Sequence, residues 1–290
     1  MILQSEILRI SEQEGVPPDT IDKNWVLGHF LAELFTNSWA QENLVFKGGT
    51  CLKKCYFEDY RFSEDLDFTL LNKDIQVTDR LLQSVCNAIT QKIGILFSKV
   101  KVDAIMWKDM QVGYKTYIKF WGANHNRNHR PPASGRWLTE IKIEIVNYEL
   151  VVNDPVRLPI LTFFSDKATI DSVRIPCYTL TEVIAEKFRS LLQRSYPAPR
   201  DYYDLWKLLQ DSSLTDWGSI VPTFHQKIEF KNIIFNNYND FFDEIQINKM
   251  KQAWNNSLKG HLKEDNFPTV EIVVNDLKKI CSQVDWNLKK

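Results

Sequence analysis

The stretch Phe46-Lys47-Gly48-Gly49-Thr50, followed by Arg61-Phe62-Ser63-Glu64-Asp65-Leu66-Asp67-Phe68, is the most informative part of this 290-residue chain. A glycine pair directly after the apolar residues 44–46 predicts a strand that ends in a tight turn. Because glycine has no side chain, a ligand can closely approach the backbone N–H groups of such a turn, and a phosphate is a suitable ligand. The first stretch therefore predicts a phosphate-binding turn.

The second stretch places two acids on either side of Leu66, in a segment that predicts a strand. Residues two apart on a strand point to the same face, so Asp65 and Asp67 can bind one divalent cation or a pair of them. Mg²⁺ takes carboxylates and completes its shell with waters and substrate phosphates. A phosphate-binding turn beside such a pair is what nucleotidyl transfer from a nucleoside triphosphate requires. The alternative is a surface turn with two solvated acids, but the short distance between the motifs favours the functional interpretation.

These two motifs, K-G-G-T and R-F-S-E-D-L-D-F, resemble the AbiEii/AbiGii toxin family of nucleotidyltransferases, within the polymerase-beta-like superfamily. Superfamily members often have Gly-Ser in the turn, whereas this chain has Gly49-Thr50, which keeps the hydroxyl. Two later segments also resemble family motifs. They are Ala185-Glu186-Lys187-Phe188-Arg189 and Arg200-Asp201-Tyr202-Tyr203-Asp204-Leu205. The resemblance covers roughly residues 20–210.

The resemblance implies a magnesium- or manganese-dependent nucleotidyltransferase that acts as the toxin of a toxin–antitoxin or abortive-infection system. It implies a cognate antitoxin as partner, and because some relatives modify the acceptor end of tRNA, RNA is the leading acceptor. The metal is expected on Asp65, Asp67 and Glu144, and these three residues and Asp204 are the expected catalytic residues. The expected nucleotide-binding residues are Lys47, Gly48, Gly49, Thr50, Lys187 and Arg200.

Glu144 is the candidate for the third carboxylate. In the segment 137–147, Ile141, Ile143 and Ile145 share one face of a predicted strand, whereas Glu144 and Lys142 share the other. In the superfamily, a carboxylate on a neighbouring strand joins the paired aspartates, often as aspartate. The alternative is that Glu144 simply points outward from a half-buried sheet, as Lys142 would.

Lys187 and Asp204 are each explained in two ways. Helical periodicity puts Lys187 at the margin of an apolar face, where a lysine usually extends to water, whereas the resemblance makes it a triphosphate contact. Asp201 lies in the first turn of a predicted helix, where an acid complements the helix dipole. Asp204 lies one turn further on, which favours an active-site role.

Composition excludes several classes of protein. Charges nearly balance, with 36 basic and 37 acidic side chains, so binding to nucleic acid would need a local basic patch.

The five cysteines are irregularly spaced. Cys51 and Cys55 have no second pair or suitably spaced histidine after them, which favours reduced thiols in a cytoplasmic protein over a zinc site. No signal peptide and no apolar run of the roughly 18 residues that span a membrane is present, so a soluble cytoplasmic protein is expected.

The pattern of predicted elements indicates an α/β (α+β) fold in two parts. We expect a nucleotidyltransferase lobe over residues 1–175, with a small mixed sheet flanked by helices, and a helical lobe over 176–290. Helices are predicted over 22–38 and after the N-cap candidates Thr78 and Thr179; the latter begins a capping box with Glu182. Strands are predicted over 44–46, 65–70, 101–106, 113–121 and 137–147.

Residues 123–136 form a long polar loop between the last two predicted strands. It carries Arg127, Arg130 and Arg136 and almost no apolar residue, so it is the clearest candidate for an RNA-binding surface. Two other functions remain open from the sequence. One is a degenerate module that binds nucleotide without transferring it, and the other is a metal-dependent phosphotransferase or hydrolase.

Overall fold

The fold is seen in a computed structural model that describes residues 1–126, 128–263 and 267–287. Within these residues the chain forms ten α-helices and eight strands, as the mixed α/β prediction requires. The helices are α1 Gln4–Glu14, α2 Pro18–Leu34, α3 Ser38–Asn43, α4 Gly48–Cys51, α5 Asp79–Ile93, α6 Leu180–Gln193, α7 Pro199–Leu209, α8 Trp217–Phe230, α9 Glu244–Leu258 and α10 Val270–Ser282. The strands are β1 Leu44–Lys47, β2 Asp65–Leu70, β3 Leu96–Phe97, β4 Asp103–Trp107, β5 Met110–Trp121, β6 Glu140–Val146, β7 Val156–Pro159 and β8 Arg174–Cys177.

The chain divides into two compact units. The first unit contains 1–149, 155–177 and 260–263, and the second contains 150–154, 178–259 and 264–290. All eight strands belong to the first unit, and α6 to α10 belong to the second. No helix within the described ranges is long and apolar enough to cross a lipid bilayer.

The sheet of the first unit is mixed, with strand order β3-β5-β6-β2-β1-β8-β7 and with β4 paired to β5. Its central strands, β2 and β6, run parallel, whereas β1 and β5 flank them in antiparallel orientation. Burial alternates along β2 and β6, so Leu66, Phe68 and the isoleucines of β6 face the core. Residues of α2 and α5 join the same apolar core. The opposite face of these strands carries the polar residues.

Several elements differ from the sequence predictions. The helix predicted over 22–38 begins earlier, because Pro18 is well suited to a first helical position, and it ends at Leu34. The sheet is also larger than predicted, since it includes β7 and β8, two four-residue strands too short to show a clear alternation. The helix after Thr78 is confirmed, with the Thr78 hydroxyl accepting a hydrogen bond from the Leu81 N–H.

The predicted capping box at α6 is only half correct. The Thr179 side chain accepts from the Glu182 N–H at 3.1 Å, as expected for an N-cap. The Glu182 carboxylate, however, is fully buried and accepts from the Asn153 N–H and from the Lys227 ammonium. A buried cation and buried amides bind a carboxylate more strongly than one exposed N–H, which explains why the side chain does not fold back on its own helix.

Candidate active site

The glycine turn forms where β1 meets the first residues of α4. Gly48 has a φ of 81°, in the left-handed region that favours glycine. A Cβ at this position would lie 2.7 Å from Asp67 Oδ2, far inside van der Waals contact. The sequence therefore needs glycine here for two reasons, the backbone conformation and the close approach of a carboxylate.

The second glycine makes room for a cation. A Cβ at Gly49 would lie 2.6 Å from Nη2 of Arg61, whose side chain is buried. Arg61 belongs to the motif that carried the family resemblance, but sequence reasoning gave it no role. Its guanidinium lies against the turn, where it can contribute positive charge toward a phosphate.

Thr50 ties the turn to the strand that carries the aspartates. Its hydroxyl donates to the Asp65 carbonyl oxygen at 2.5 Å, and the residue is buried. The hydroxyl thus has a structural partner, and the contact that the turn itself can offer a phosphate is through backbone N–H groups. The first N–H groups of a helical segment have no partner within the helix, and here they belong to Gly48, Gly49 and Thr50.

Strand register brings the three predicted carboxylates to one face of the sheet. Asp67 of β2 pairs with Glu144 of β6, and Asp65 pairs with Lys142. On the other side of β2, Lys47 pairs with Asp67. The structure therefore places Asp65, Asp67 and Glu144 together, next to the glycine turn, as the sequence reasoning required.

Burial and the neighbouring carboxylates both raise the pKa of Asp67. Burial first, and then the charges of Asp65 and Glu144, raise the pKa of Asp67 to about 6. Lys142 partly offsets this concentration of negative charge, because its ammonium lies 3.0 Å from Glu144 Oε2. Burial alone would lower the pKa of Lys142, but Glu144 and the two aspartates outweigh burial and raise it.

A hard divalent cation fits this donor set. The ligands available are carboxylate oxygens, which Mg²⁺ and Mn²⁺ prefer, and a cation would relieve the repulsion that, after burial, raises the pKa of Asp67. Across the described part of the chain, these three side chains do not bring three oxygens within 4.8 Å of one another. Glu144 is bound to Lys142 instead, so a metal would compete with that ammonium for the glutamate.

The same face carries basic and aromatic side chains that sequence reasoning did not single out. Lys115 of β5 pairs with Glu144, and Tyr117 pairs with Lys142; both side chains are exposed. Their alternation along β5 was visible in the sequence, but only the register shows that they adjoin the carboxylates. The ammonium groups of Lys115 and Lys142 therefore place positive charge beside the acidic site.

Lys187 and Asp204 lie in the second unit and contact each other. The Lys187 ammonium donates to Asp204 at 2.6 Å and to Asp201 at 3.0 Å, and all three side chains are buried. The solvated interpretation of Lys187 is therefore wrong. Arg200 lies in the same unit, where its Nε donates to the Ser257 carbonyl oxygen at 3.1 Å.

The long loop between β5 and β6 is partly outside the described residues. Arg127 is one of the residues that the structure does not describe, whereas Arg130 and Arg136 are exposed. The Trp137 indole donates to the Pro132 carbonyl oxygen, and the His125 ring stacks on Trp121 with the ring centroids 3.5 Å apart. These contacts hold the two ends of the loop.

A glycine turn at the end of an interior strand, beside three carboxylates on one face of a mixed sheet, is the arrangement that nucleotidyl transfer requires, and the family comparison agrees. A family model described as "Nucleotidyl transferase AbiEii toxin, Type IV TA system" matches residues 29–275. The chain belongs to this family.

Among solved structures, the fold resembles that of MenT4, a nucleotidyltransferase toxin from Mycobacterium tuberculosis H37Rv. The TM-score is 0.59, and the alignment covers 97% of this chain and 99% of that chain at 16% sequence identity. At that identity the similarity concerns the fold. A search of curated proteins finds no significant match.

Proposed function

We propose that this nucleotidyltransferase toxin transfers a nucleoside monophosphate from a nucleoside triphosphate to an acceptor hydroxyl, and that transfer requires Mg²⁺ or Mn²⁺. The observation that carries the proposal is the register that pairs Asp67 with Glu144 directly beside the turn at Gly48. A bound divalent cation would be held by Asp65, Asp67 and Glu144, and it would polarise the α-phosphate and neutralise charge on the leaving group.

The residues of the chain supply binding, orientation and a proton acceptor. Backbone N–H groups of Gly48 and Gly49 hold the β- and γ-phosphates, and Arg61 adds positive charge beside them. The acceptor oxygen forms a bond to the α-phosphorus while the bond from that phosphorus to the bridging oxygen breaks, which releases pyrophosphate. A carboxylate of the site, with Glu144 as our choice, takes the proton of the attacking hydroxyl.

Lys187, Arg200 and Asp204 are proposed for nucleotide handling on the family resemblance alone. The contacts of Lys187 with Asp201 and Asp204 favour a structural role in the second unit, because the ammonium would have to leave two carboxylates to reach a phosphate. Comparing nucleotide affinity in the wild type and Lys187→Ala separates the two roles.

We propose RNA, and tRNA first, as the acceptor, and a cognate antitoxin as the partner that restrains the enzyme in the cytoplasm. Family membership supports the antitoxin. The cationic side chains of Lys115 and Lys142 and the loop arginines Arg130 and Arg136 support a polyanionic acceptor. The two other functions give different results in a transfer assay. A degenerate binding module would transfer no labelled nucleotide, and a phosphotransferase or hydrolase that acts on a different bond would not release pyrophosphate.

The decisive experiment is transfer of α-labelled nucleotide to total cellular RNA by the wild type and by Asp67→Asn. We expect labelled RNA and stoichiometric pyrophosphate from the wild type with Mg²⁺, and a loss of at least about 10²-fold in the variant, as for other groups that stabilise transition-state charge. Glu140→Gln is the matched control, because Glu140 lies on the same face of β6 but pairs with Lys119. Full transfer by a folded Asp67→Asn protein would refute the proposed site.

A further inference from the structure

A cluster of three thiols adjoins the glycine turn. The Sγ atoms of Cys51, Cys55 and Cys177 all lie within 4.8 Å of one another. Cys51 directly follows Thr50 at the end of α4, and Cys55 lies one helical turn further on. Cys177 ends β8 and pairs with Phe46 of β1, so a strand from a distant part of the sequence completes the cluster.

The cluster has the spacing of a zinc site and supplies three of the four ligands that zinc usually takes. Zinc–sulfur bonds of about 2.3 Å place tetrahedrally arranged sulfurs about 3.8 Å apart, so the three thiols need to contract by at most about 1 Å to share one ion. Thiolates are soft ligands that select Zn²⁺ or Cu(I) over the hard cations suited to the carboxylate site. All three cysteines are buried, which protects such a site from solvent.

A buried lysine supplies the charge that this site would need. Lys54 lies between two of the cysteines in sequence, is 1% exposed, and donates to Asn24 Oδ1 at 2.8 Å. Within the described residues it has no carboxylate partner. Three thiolates and one divalent cation carry a net charge of −1, which a cation at Lys54 would offset. A buried charge without such balance is strongly unfavourable, so this favours Zn²⁺ over Cu(I).

We propose that Cys51, Cys55 and Cys177 bind one Zn²⁺ ion, separate from the carboxylate site, and that this ion fastens the glycine turn to β8. Metal binding to the three thiols releases their protons and cross-links segments more than 120 residues apart, from Cys55 to Cys177. The ion would therefore stabilise the backbone that presents the turn, whatever reaction the carboxylates perform.

The test titrates the purified, reduced full-length protein with Zn²⁺ and, in parallel, with Cd²⁺, in excess Mg²⁺ to occupy the carboxylates. We expect one equivalent bound, a cadmium–thiolate absorption band, and a rise in melting temperature. Cys177→Ser should weaken binding at least about tenfold, because a thiolate ligand is lost. Cys86→Ser and Cys281→Ser are matched controls, since both remove a buried thiol outside the cluster and should leave binding unchanged.

X-ray absorption of the zinc-loaded wild type tests the proposal without relying on a variant that folds. Three sulfur neighbours at the zinc would support it. Fewer than two sulfur neighbours, a band unchanged by Cys177→Ser, selective binding of Cu(I), or a disulfide that accounts for two of the three thiols would each overturn it. None of these readouts depends on nucleotidyl transfer.

Discussion

At the scale of single residues, the site depends on the close approach of charged side chains to two glycines. Glycine is required at positions 48 and 49 because a carboxylate and a guanidinium occupy the space that a Cβ would fill. Burial first, and then the charges of the neighbouring acids, raise the pKa of Asp67. The packing that brings the acids together therefore also disfavours the ionised form of Asp67.

Replacing Gly48 with alanine should damage the site more than the fold. The new Cβ must displace Asp67, and alanine must adopt an unfavourable φ. We expect these two effects to cost about 1–3 kcal/mol of stability and to reduce transfer at least tenfold. Calorimetric melting and labelled-nucleotide transfer measure the two effects. Gly135→Ala is the control, because nothing lies within 4 Å of a Cβ there. Equal activity of both variants would contradict the packing argument.

Asp22 should make stability depend on pH. It is fully buried, and burial, which outweighs hydrogen bonds from the Ala123 and Asn124 N–H groups, raises its pKa to about 6. The folded protein thus holds a proton that the unfolded chain releases near pH 4, so stability falls as pH rises from about 4 to 6. The loss is about 3 kcal/mol at most, at about 1.4 kcal/mol per pKa unit.

Asp22→Asn should reduce this fall to the part that Asp67 contributes, because asparagine does not ionise and can still accept the hydrogen bond from the Ala123 N–H. Denaturant unfolding of the first unit at a series of pH values measures the change, with the exposed Asp74→Asn as control. Parallel pH profiles for wild type and Asp22→Asn would show that Asp22 keeps an ordinary pKa.

At the scale of elements, a buried ion pair joins parts of the second unit. Glu182 at the start of α6 and Lys227 on α8 are both fully buried and lie 2.7 Å apart. Lys227 also donates to the Leu150 carbonyl oxygen, and Glu182 accepts from the Asn153 N–H. Lys227 also lies 3.3 Å from Glu186 Oε2, so two helices and the short segment 150–154 meet at one buried ammonium.

Lys227→Met should destabilise the second unit by about 3–5 kcal/mol, because it leaves the Glu182 carboxylate buried without its cation. Adding Glu182→Gln should recover part of that loss, since the uncompensated charge is then gone. Chemical unfolding of the two single variants and of the double variant measures this, with the exposed Lys207→Met as control. A double variant as unstable as the sum of its single changes would show that the pair is not coupled.

At the scale of the whole molecule, the net charge of −1 gives no general attraction to RNA. Any affinity for RNA must come from a local basic surface. The loop between β5 and β6 is the clearest candidate for such a surface in the sequence. Arg130 and Arg136 of this loop are exposed, and Arg127 belongs with them in the sequence although it lies outside the described residues.

Replacing Arg127, Arg130 and Arg136 with glutamine should weaken RNA binding and flatten its salt dependence. Each lost phosphate contact lowers the log–log slope by roughly 0.7 for single strands and 0.9 for duplexes. Binding is measured over a range of salt concentrations, and nucleotide affinity should stay unchanged. Replacing the exposed Lys249, Lys251 and Lys259 of the second unit is the control. An unchanged slope in the arginine variant would show that the loop arginines do not contact RNA phosphates and serve only solubility.

Local sequence determined the parts of the site that depend on neighbouring residues. The turn at Gly48, the shared face of Asp65 and Asp67, and the alternation around Glu144 follow from chain geometry over a few residues, so they were predictable. So was the helix cap at Thr78, because an N-cap acts within a single turn.

Only the tertiary structure decided which distant residues meet. The pairing of Asp67 with Glu144, the arrival of Cys177 beside Cys51, and the burial of Lys187 against Asp204 each join segments far apart in the chain or separate helices. Periodicity reports which face a residue occupies, but not the strand or helix that lies opposite. That choice follows from packing the whole core, where a buried charge such as that of Lys187 is stabilised by partners from another helix.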